Sequence, residues 1–309
     1  MNPLIRSIPP FLVRFFARPY VAGDSLAKAM DVAAELRTKR GLLTTLDLLA
    51  ENISERETVE RNVATYLAMV DAAASDPRFA GDADRPTVSL KPSSYTVAPL
   101  DKSGDAAGSA AAVRRIVEHA AQRKVRVTVD MEGRHWTDFT LDLLKDLHAA
   151  GHRHVGCVMQ TRLHRTEADL DRLPAGIRVR LVIGIYNEPE NIALRDKPAM
   201  KERMLAFAGK LLARGHFVEF ATHDEAIVRR FLEQVVPAAG VGTDRFEVQM
   251  LYGVPRDKLL GEVAARGVRA RLYVPFALGW PMAIAYLRRR LDEYPRMMLL
   301  VARNMLRKG

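Results

Sequence analysis

The chain has 309 residues, 48% of them hydrophobic and 27% charged, which is the composition of an ordinary globular protein. Its single cysteine, Cys157, excludes an internal disulfide and a four-cysteine zinc site, and no charge-free apolar run is long enough to cross a bilayer. The net charge of +10 is scattered without the aromatic interleaving of a nucleic-acid surface. We therefore expect a cytoplasmic protein without a nucleic-acid partner. Peripheral contact with the inner face of the membrane remains an alternative.

Strand-like and helical runs alternate along most of the chain. Residues 1–43 hold a proline-broken apolar lead and an amphipathic helix, which predict an N-terminal helical extension. Glycines that can end helices precede four of the later strand-like runs: Gly151, Gly176, Gly215 and Gly267. The strand-like runs cover residues 44–52, 87–91, 125–131, 154–160, 178–186, 216–223, 245–251 and 269–276.

This alternation predicts an α/β fold. Eight βα units in a chain of this length favour a (βα)8 TIM-type barrel over residues 44–309. A doubly wound sheet is the alternative, but no Gly-x-Gly-x-x-Gly motif follows a strand-like run.

The run 178–186 has two different faces when it is read at period two. One face is apolar and includes Ile183 and Ile185, which we expect to pack against helices. The other carries Arg180, and a buried guanidinium needs an anionic or carbonyl partner. Leaving many interior polar groups unsatisfied would cost roughly 1–3 kcal/mol each, so we expect a large polar ligand inside the barrel. The polar set includes Ser89, Lys91, Asp130, Gln160, Arg180, Gln249, Arg271 and Tyr273.

A pair of arginines near the end of the chain forms a second candidate site. Arg289 and Arg290 are adjacent, and Glu293 follows four and three residues later, so it can brace either guanidinium on one helix face. Such a pair suits a carboxylate or a phosphate. A solvated helix face is the alternative interpretation.

Short motifs carry a family resemblance, in order, across nearly the whole chain. They include Leu90-Lys91, Val129-Asp130-Met131-Glu132, Met159-Gln160, Arg180-Leu-Val-Ile-Gly-Ile-Tyr186, Ala221-Thr-His223, Phe246-Glu-Val-Gln-Met-Leu-Tyr-Gly253, Tyr273-Val-Pro275 and Tyr286-Leu-Arg-Arg-Arg-Leu-Asp-Glu293. The chain thereby resembles proline dehydrogenase. The resemblance implies a distorted (βα)8 barrel that holds FAD, oxidises L-proline to Δ1-pyrroline-5-carboxylate and passes the electrons to a membrane quinone.

The resemblance also implies three sets of site residues, with no metal. The catalytic positions match Asp130 and Arg180. The substrate positions match Lys91, Arg289 and Arg290 around the carboxylate, Glu293 in support of the arginines, and Tyr273 as a pocket wall. The flavin contacts match Met131, Gln160, Ile183, Gly184, Ile185, Thr222 and His223.

Two positions depart from the family pattern, which usually has lysine in place of Ile183 and alanine in place of Ile185. Either both isoleucines pack with the core, or Ile185 narrows the pocket and Ile183 removes a polar flavin contact. These departures leave two alternative functions open: a divergent enzyme for another cyclic or N-alkyl amino acid, and a barrel without turnover. Independently of them, Lys91 and Asp130 leave open a flavin-free barrel lyase or hydrolase. In the lyase, Lys91 would form a Schiff base and Asp130 would be its acid/base partner.

Overall fold

The structure is a computed structural model that describes Pro9, Val13, residues 19–50 and 53–284, and Arg288. Eight parallel strands form a closed barrel in sequence order, and β8 pairs with β1. The strands are β1 (Leu43–Leu48), β2 (Thr87–Leu90), β3 (Val127–Val129), β4 (Val155–Gln160), β5 (Arg178–Val182), β6 (Phe217–Ala221), β7 (Phe246–Leu251) and β8 (Ala270–Phe276). The predicted (βα)8 barrel is confirmed.

Helices surround the strands. They are α1 (Leu26–Arg40), α2 (Arg56–Ser75), α3 (Ser109–Gln122), α4 (Thr137–Ala149), α5 (Thr166–Asp169), α6 (Lys197–Ala213), α7 (Glu225–Arg230), α8 (Val236–Ala239) and α9 (Asp257–Ala265). Within the described ranges, no helix combines the length and apolarity that a membrane span requires. Helix α1 precedes β1, and the division into an extension of residues 1–43 and a barrel of residues 44–309 stays a prediction.

Local sequence explains where several helices begin and end. The side chain of Ser25 accepts a hydrogen bond from the backbone N–H of Lys28 and caps the start of α1, and Gly41, with a φ of 67°, caps its end after Arg40. The four glycines predicted to end helices all have positive φ values, which are 92° at Gly151, 69° at Gly176, 77° at Gly215 and 68° at Gly267. Gly151, Gly215 and Gly267 do follow the ends of α4, α6 and α9, but the prediction is wrong for Gly176, which lies in a turn just before β5.

The strands place apolar residues outward and polar residues inward. Val129, Cys157 and Leu181 are fully buried in the core cluster that the strands share with the helices. Burial raises the pKa of the Cys157 thiol to about 12, which makes it an inert core side chain.

The barrel interior differs from the sequence prediction near the amino ends of the strands. Arg178 pairs there with Glu219, and Arg271 pairs with Glu247 through both carboxylate oxygens. All four side chains are strongly shielded from solvent. These charged side chains pair with one another, so the expectation that the interior charges require a bound ligand is wrong for this layer.

Strand β5 is shorter than the run 178–186 that predicted it. It ends at Val182, and Gly184 has a φ of 107°, which breaks the alternation of faces. Ile183 still packs against the core, whereas Ile185 is 43% exposed. The expectation that Ile185 packs against helices is therefore wrong.

Candidate active site

A cavity of about 520 Å³ opens at the carboxyl ends of the strands. This size is in the range of small-molecule sites, and this end of a (βα)8 barrel is the one that carries active sites. Arg289, Arg290 and Glu293 lie outside the described residues. The other predicted site residues all line the cavity: Lys91, Asp130, Met131, Gln160, Arg180, Ile183, Gly184, Ile185, Thr222, His223 and Tyr273.

Asp130 is the centre of a hydrogen-bonded cluster. Its Oδ1 accepts from Arg180 Nη1 at 3.0 Å and from Ser89 Oγ at 2.7 Å. Its Oδ2 accepts from the Tyr273 hydroxyl at 3.0 Å and lies 3.7 Å from Lys91 Nζ. The carboxylate therefore holds side chains from β5 and β8 and the residue after β2 in one arrangement.

Asp47, on β1, is an interior partner that sequence reasoning missed. It is 2% exposed and accepts a hydrogen bond from Lys91 Nζ, which also donates to the Tyr273 hydroxyl at 3.3 Å. Burial by itself would lower the pKa of Lys91, but the negative charges of Asp47 and Asp130 raise it well above its usual value. Lys91 is therefore an ammonium group at neutral pH.

Arg180 is 4% exposed, and two of its three guanidinium nitrogens have the partners that burial requires. Its Nη1 donates to Asp130 and to Ser89 Oγ, and its Nε donates to Gln249 Oε1 at 2.8 Å and lies 3.6 Å from Glu219 Oε2. Burial acts to lower the pKa of the guanidinium, but Asp130 and Glu219 raise it. Its buried Nη2 has no protein partner in the described part of the chain.

His223 follows β6 and contributes a neutral imidazole. The backbone N–H of Leu251 donates to its Nε2 at 2.9 Å, so the proton of the neutral ring lies on Nδ1. Burial and the nearby charge of Arg256 lower its pKa to about 4. The side chain is thus a neutral hydrogen-bond donor on the cavity wall.

The segment after β5 brings backbone close to Gln160. A Cβ added to Gly184 would lie 2.6 Å from Gln160 Oε1. Gln160 Nε2 donates to the Glu132 carbonyl at 2.7 Å, while its buried Oε1 has no hydrogen-bond partner within the described structure. A buried acceptor without a partner is costly, and here it borders the cavity, where a ligand N–H could satisfy it.

Arg162 and Glu188 fasten this segment to its neighbours. Arg162 Nη1 donates to the Tyr186 carbonyl at 2.9 Å. Glu188, which is 3% exposed, accepts from the backbone N–H and the guanidinium of Arg134, both at 2.8 Å. These contacts fix one wall of the cavity, and no local sequence signal indicates them because the partners are 24 and 54 residues apart in the chain.

The closed barrel and the charged cavity at the carboxyl ends of its strands define a (βα)8-barrel enzyme. The chain belongs to the proline dehydrogenase family, whose sequence model matches residues 29–295. The proline dehydrogenase of Deinococcus radiodurans is 35% identical over 295 residues, which cover 94% of this chain and 90% of that protein. Proline dehydrogenase 2 of Bacillus subtilis is 30% identical over 300 residues, which cover 96% of this chain and 92% of that protein.

Solved structures share the fold. Proline utilization A from Bdellovibrio bacteriovorus matches 90% of this chain with a TM-score of 0.76 and 21% sequence identity. This chain spans only 32% of that longer protein.

Proposed function

We propose that this protein oxidises L-proline to Δ1-pyrroline-5-carboxylate by hydride transfer to FAD and passes the electrons to a quinone. The observation that carries the proposal is the cluster of Lys91, Asp130, Arg180 and Tyr273 on the cavity of a barrel from the proline dehydrogenase family. Cytoplasmic location with peripheral membrane contact is part of the same proposal, since a quinone acceptor resides in a membrane.

The residues around the cavity fit a flavin. Its ring carries both carbonyl acceptors and an N–H donor, and the wall offers the unpartnered Oε1 of Gln160 and the Nδ1–H of His223. The backbone of Gly184 approaches Gln160 so closely that no side chain would fit between them. We propose that Met131, Ile183, Ile185 and Thr222 complete the contacts. When bound, FAD supplies the two-electron acceptor for the hydride.

The charged side chains have distinct proposed tasks. The ammonium of Lys91 has three N–H donors, two of which serve Asp47 and Tyr273, so one remains for the substrate carboxylate. Arg289 and Arg290, supported by Glu293, are proposed to complete that carboxylate site. Such a site orients the substrate ring, which is a proximity effect.

Arg180 and Asp130 are the proposed catalytic residues. The Arg180 guanidinium supplies a fixed positive charge at the cavity, which stabilises negative charge that develops during the reaction. Asp130 orients Arg180 by a hydrogen bond, lies 3.7 Å from Lys91 Nζ and accepts the Tyr273 hydroxyl. Burial, Asp130 and Asp47 raise the pKa of Tyr273 well above its usual value, so its hydroxyl keeps its proton.

The proposal is tested by the visible absorption spectrum of the purified protein before and after anaerobic addition of L-proline. We expect flavin bands that bleach with proline and return when a soluble quinone is added. Flavin bands that persist with proline would contradict the substrate and point to Ile185 in the pocket. Absence of flavin after reconstitution with FAD would contradict the whole proposal.

The flavin-free lyase requires a neutral amine at Lys91, and the pair with Asp47 opposes this. We expect a small aldehyde with cyanoborohydride at neutral pH to leave the Lys91 side chain unmodified, as read by peptide mass spectrometry. Asp47→Asn removes the charge that raises the pKa of Lys91, so this variant should be labelled faster at Lys91. Rapid labelling of Lys91 in the parent protein would instead support the flavin-free lyase.

A further inference from the structure

Gln249 connects the proposed catalytic arginine to the ion-pair layer of the barrel interior. The side chain of Gln249 is on β7 and only 2% of the residue is exposed. Its Oε1 accepts from Arg180 Nε at 2.8 Å, and its Nε2 donates to Glu247 Oε1 at 2.7 Å. Both ends of the amide are therefore used, one toward the cavity and one toward the amino ends of the strands.

Glu247 determines which way the Gln249 amide faces. Burial would raise the pKa of Glu247, but Arg271, which donates to both of its oxygens, lowers it, so Glu247 is ionised. An ionised carboxylate only accepts hydrogen bonds, so Gln249 must turn its NH2 group toward Glu247 and its oxygen toward Arg180. Arg271 is itself anchored, since its Nη1 donates to the Thr44 carbonyl at 2.8 Å.

We propose that Gln249 is a positioning residue for Arg180, and that Glu247 and Arg271 hold Gln249 in the required orientation. Gln249 fixes the guanidinium at Nε while Asp130 and Ser89 fix it at Nη1. Two fixed nitrogens set the plane of the group and leave Nη2 for a ligand in the cavity. The inference rests on the proposed catalytic task of Arg180.

The proposed role of Gln249 depends on the hydrogen bonds of its amide group and not on the space that its side chain fills. Methionine has nearly the shape of glutamine but neither accepts from Arg180 Nε with comparable strength nor donates to Glu247. Gln249→Met should therefore keep the interior filled while releasing one of the two fixed nitrogens of Arg180. If Gln249 only fills space, this substitution should change the rate of flavin reduction little. If Gln249 positions Arg180, the rate should fall strongly.

The first experiment measures the rate at which proline reduces the flavin under anaerobic, single-turnover conditions. We expect Gln249→Met to lower the limiting rate about ten- to hundredfold, because small misplacements of a catalytic group cost rates of that order, while proline affinity changes by less than about threefold. Val248→Ala is the matched control, since Val248 is the fully buried neighbour that packs in the outer core. It should lose stability but keep the rate.

Glu247 is tested through non-additivity. If Glu247 acts on Arg180 through Gln249, Glu247→Gln lowers the rate in the parent protein and adds no further loss in the Gln249→Met background. Independent losses that multiply in the double variant would overturn the role assigned to Glu247. If Glu247→Gln does not fold, Gln249→Met alone decides the proposal.

A second readout does not need turnover. The Nε–H resonance of Arg180, identified by its loss in Arg180→Lys, should exchange with solvent at least about ten times faster in Gln249→Met and at the parent rate in Val248→Ala. If the parent protein does not react with proline, the proposed function is contradicted. The exchange rate of the Arg180 Nε–H still tests the positioning role in that case. The inference would be overturned if Gln249→Met left the exchange rate of the Arg180 Nε–H unchanged, or if proline reduced the flavin of this variant at a rate within about threefold of the parent.

Discussion

Replacing Arg180 by lysine is expected to lower kcat/KM for proline by about 10²–10³, the loss typical for one preorganised charge at a reacting centre. A lysine has one nitrogen, so it cannot keep the contact with Gln249 while it also reaches Asp130 and Ser89. The charge remains, but its direction is lost. Stopped-flow reduction of the flavin by proline measures the effect.

Arg178→Lys is the matched control. Arg178 is also on the inward face of β5 and also pairs with Glu219, but it is absent from the cavity wall and donates instead to the carbonyls of Val127 and His154. Each substitution loses hydrogen bonds to buried groups and should destabilise the fold by about 1–3 kcal/mol. Only Arg180→Lys should slow the reaction. Equal losses of activity in the two variants would contradict a catalytic task for Arg180.

The fold was predictable because its signals are local. Alternation of apolar and polar residues identified the strands, and a left-handed glycine such as Gly215 stands where a helix ends. The strand ends were less predictable, since they depend on backbone geometry. In β5 the alternation continues in the sequence after Val182, but the backbone leaves the strand there and Gly184 turns it, so Ile185 reaches the cavity.

The site residues that lie in family motifs could be predicted from the sequence. The site residues whose role depends on a partner far away in the chain could not. Asp47 shares the inward face of β1 with Thr45, but nothing in the linear sequence indicates that it meets Lys91, which is 44 residues away. Glu219 and Glu247 were missed for the same reason. The inward arginines were recognised, but each partner lies on the neighbouring strand, and the linear sequence does not specify the register that brings the two side chains together.

The interior charges also explain how the barrel tolerates a polar centre. Arg271 and Glu247 satisfy each other near the amino ends of the strands, whereas Arg180 and Gln160 nearer the carboxyl ends each retain one buried atom without a protein partner among the described residues. Burying an unpaired polar atom costs stability, and a bound ligand recovers that cost. The protein is therefore expected to gain stability when the proposed FAD binds.

Gly184→Ala is expected to remove most bound flavin, with an affinity for FAD at least about tenfold weaker, because the residue has a φ of 107° and no space for a Cβ. The new methyl group would lie 2.6 Å from Gln160 Oε1 and 3.0 Å from the Cδ of Arg162, so the wall segment or Gln160 must move. Backbone strain should lower the free energy of unfolding by about a further 1–3 kcal/mol.

Gly176→Ala is the control, since Gly176 has a φ of 69° and no atoms within 4 Å of an added Cβ. It should lose stability through backbone strain alone and keep its flavin. Titration of the apoproteins with FAD separates the two effects, and equal affinities in both variants would show that the close approach of Gly184 to Gln160 does not shape the cofactor site.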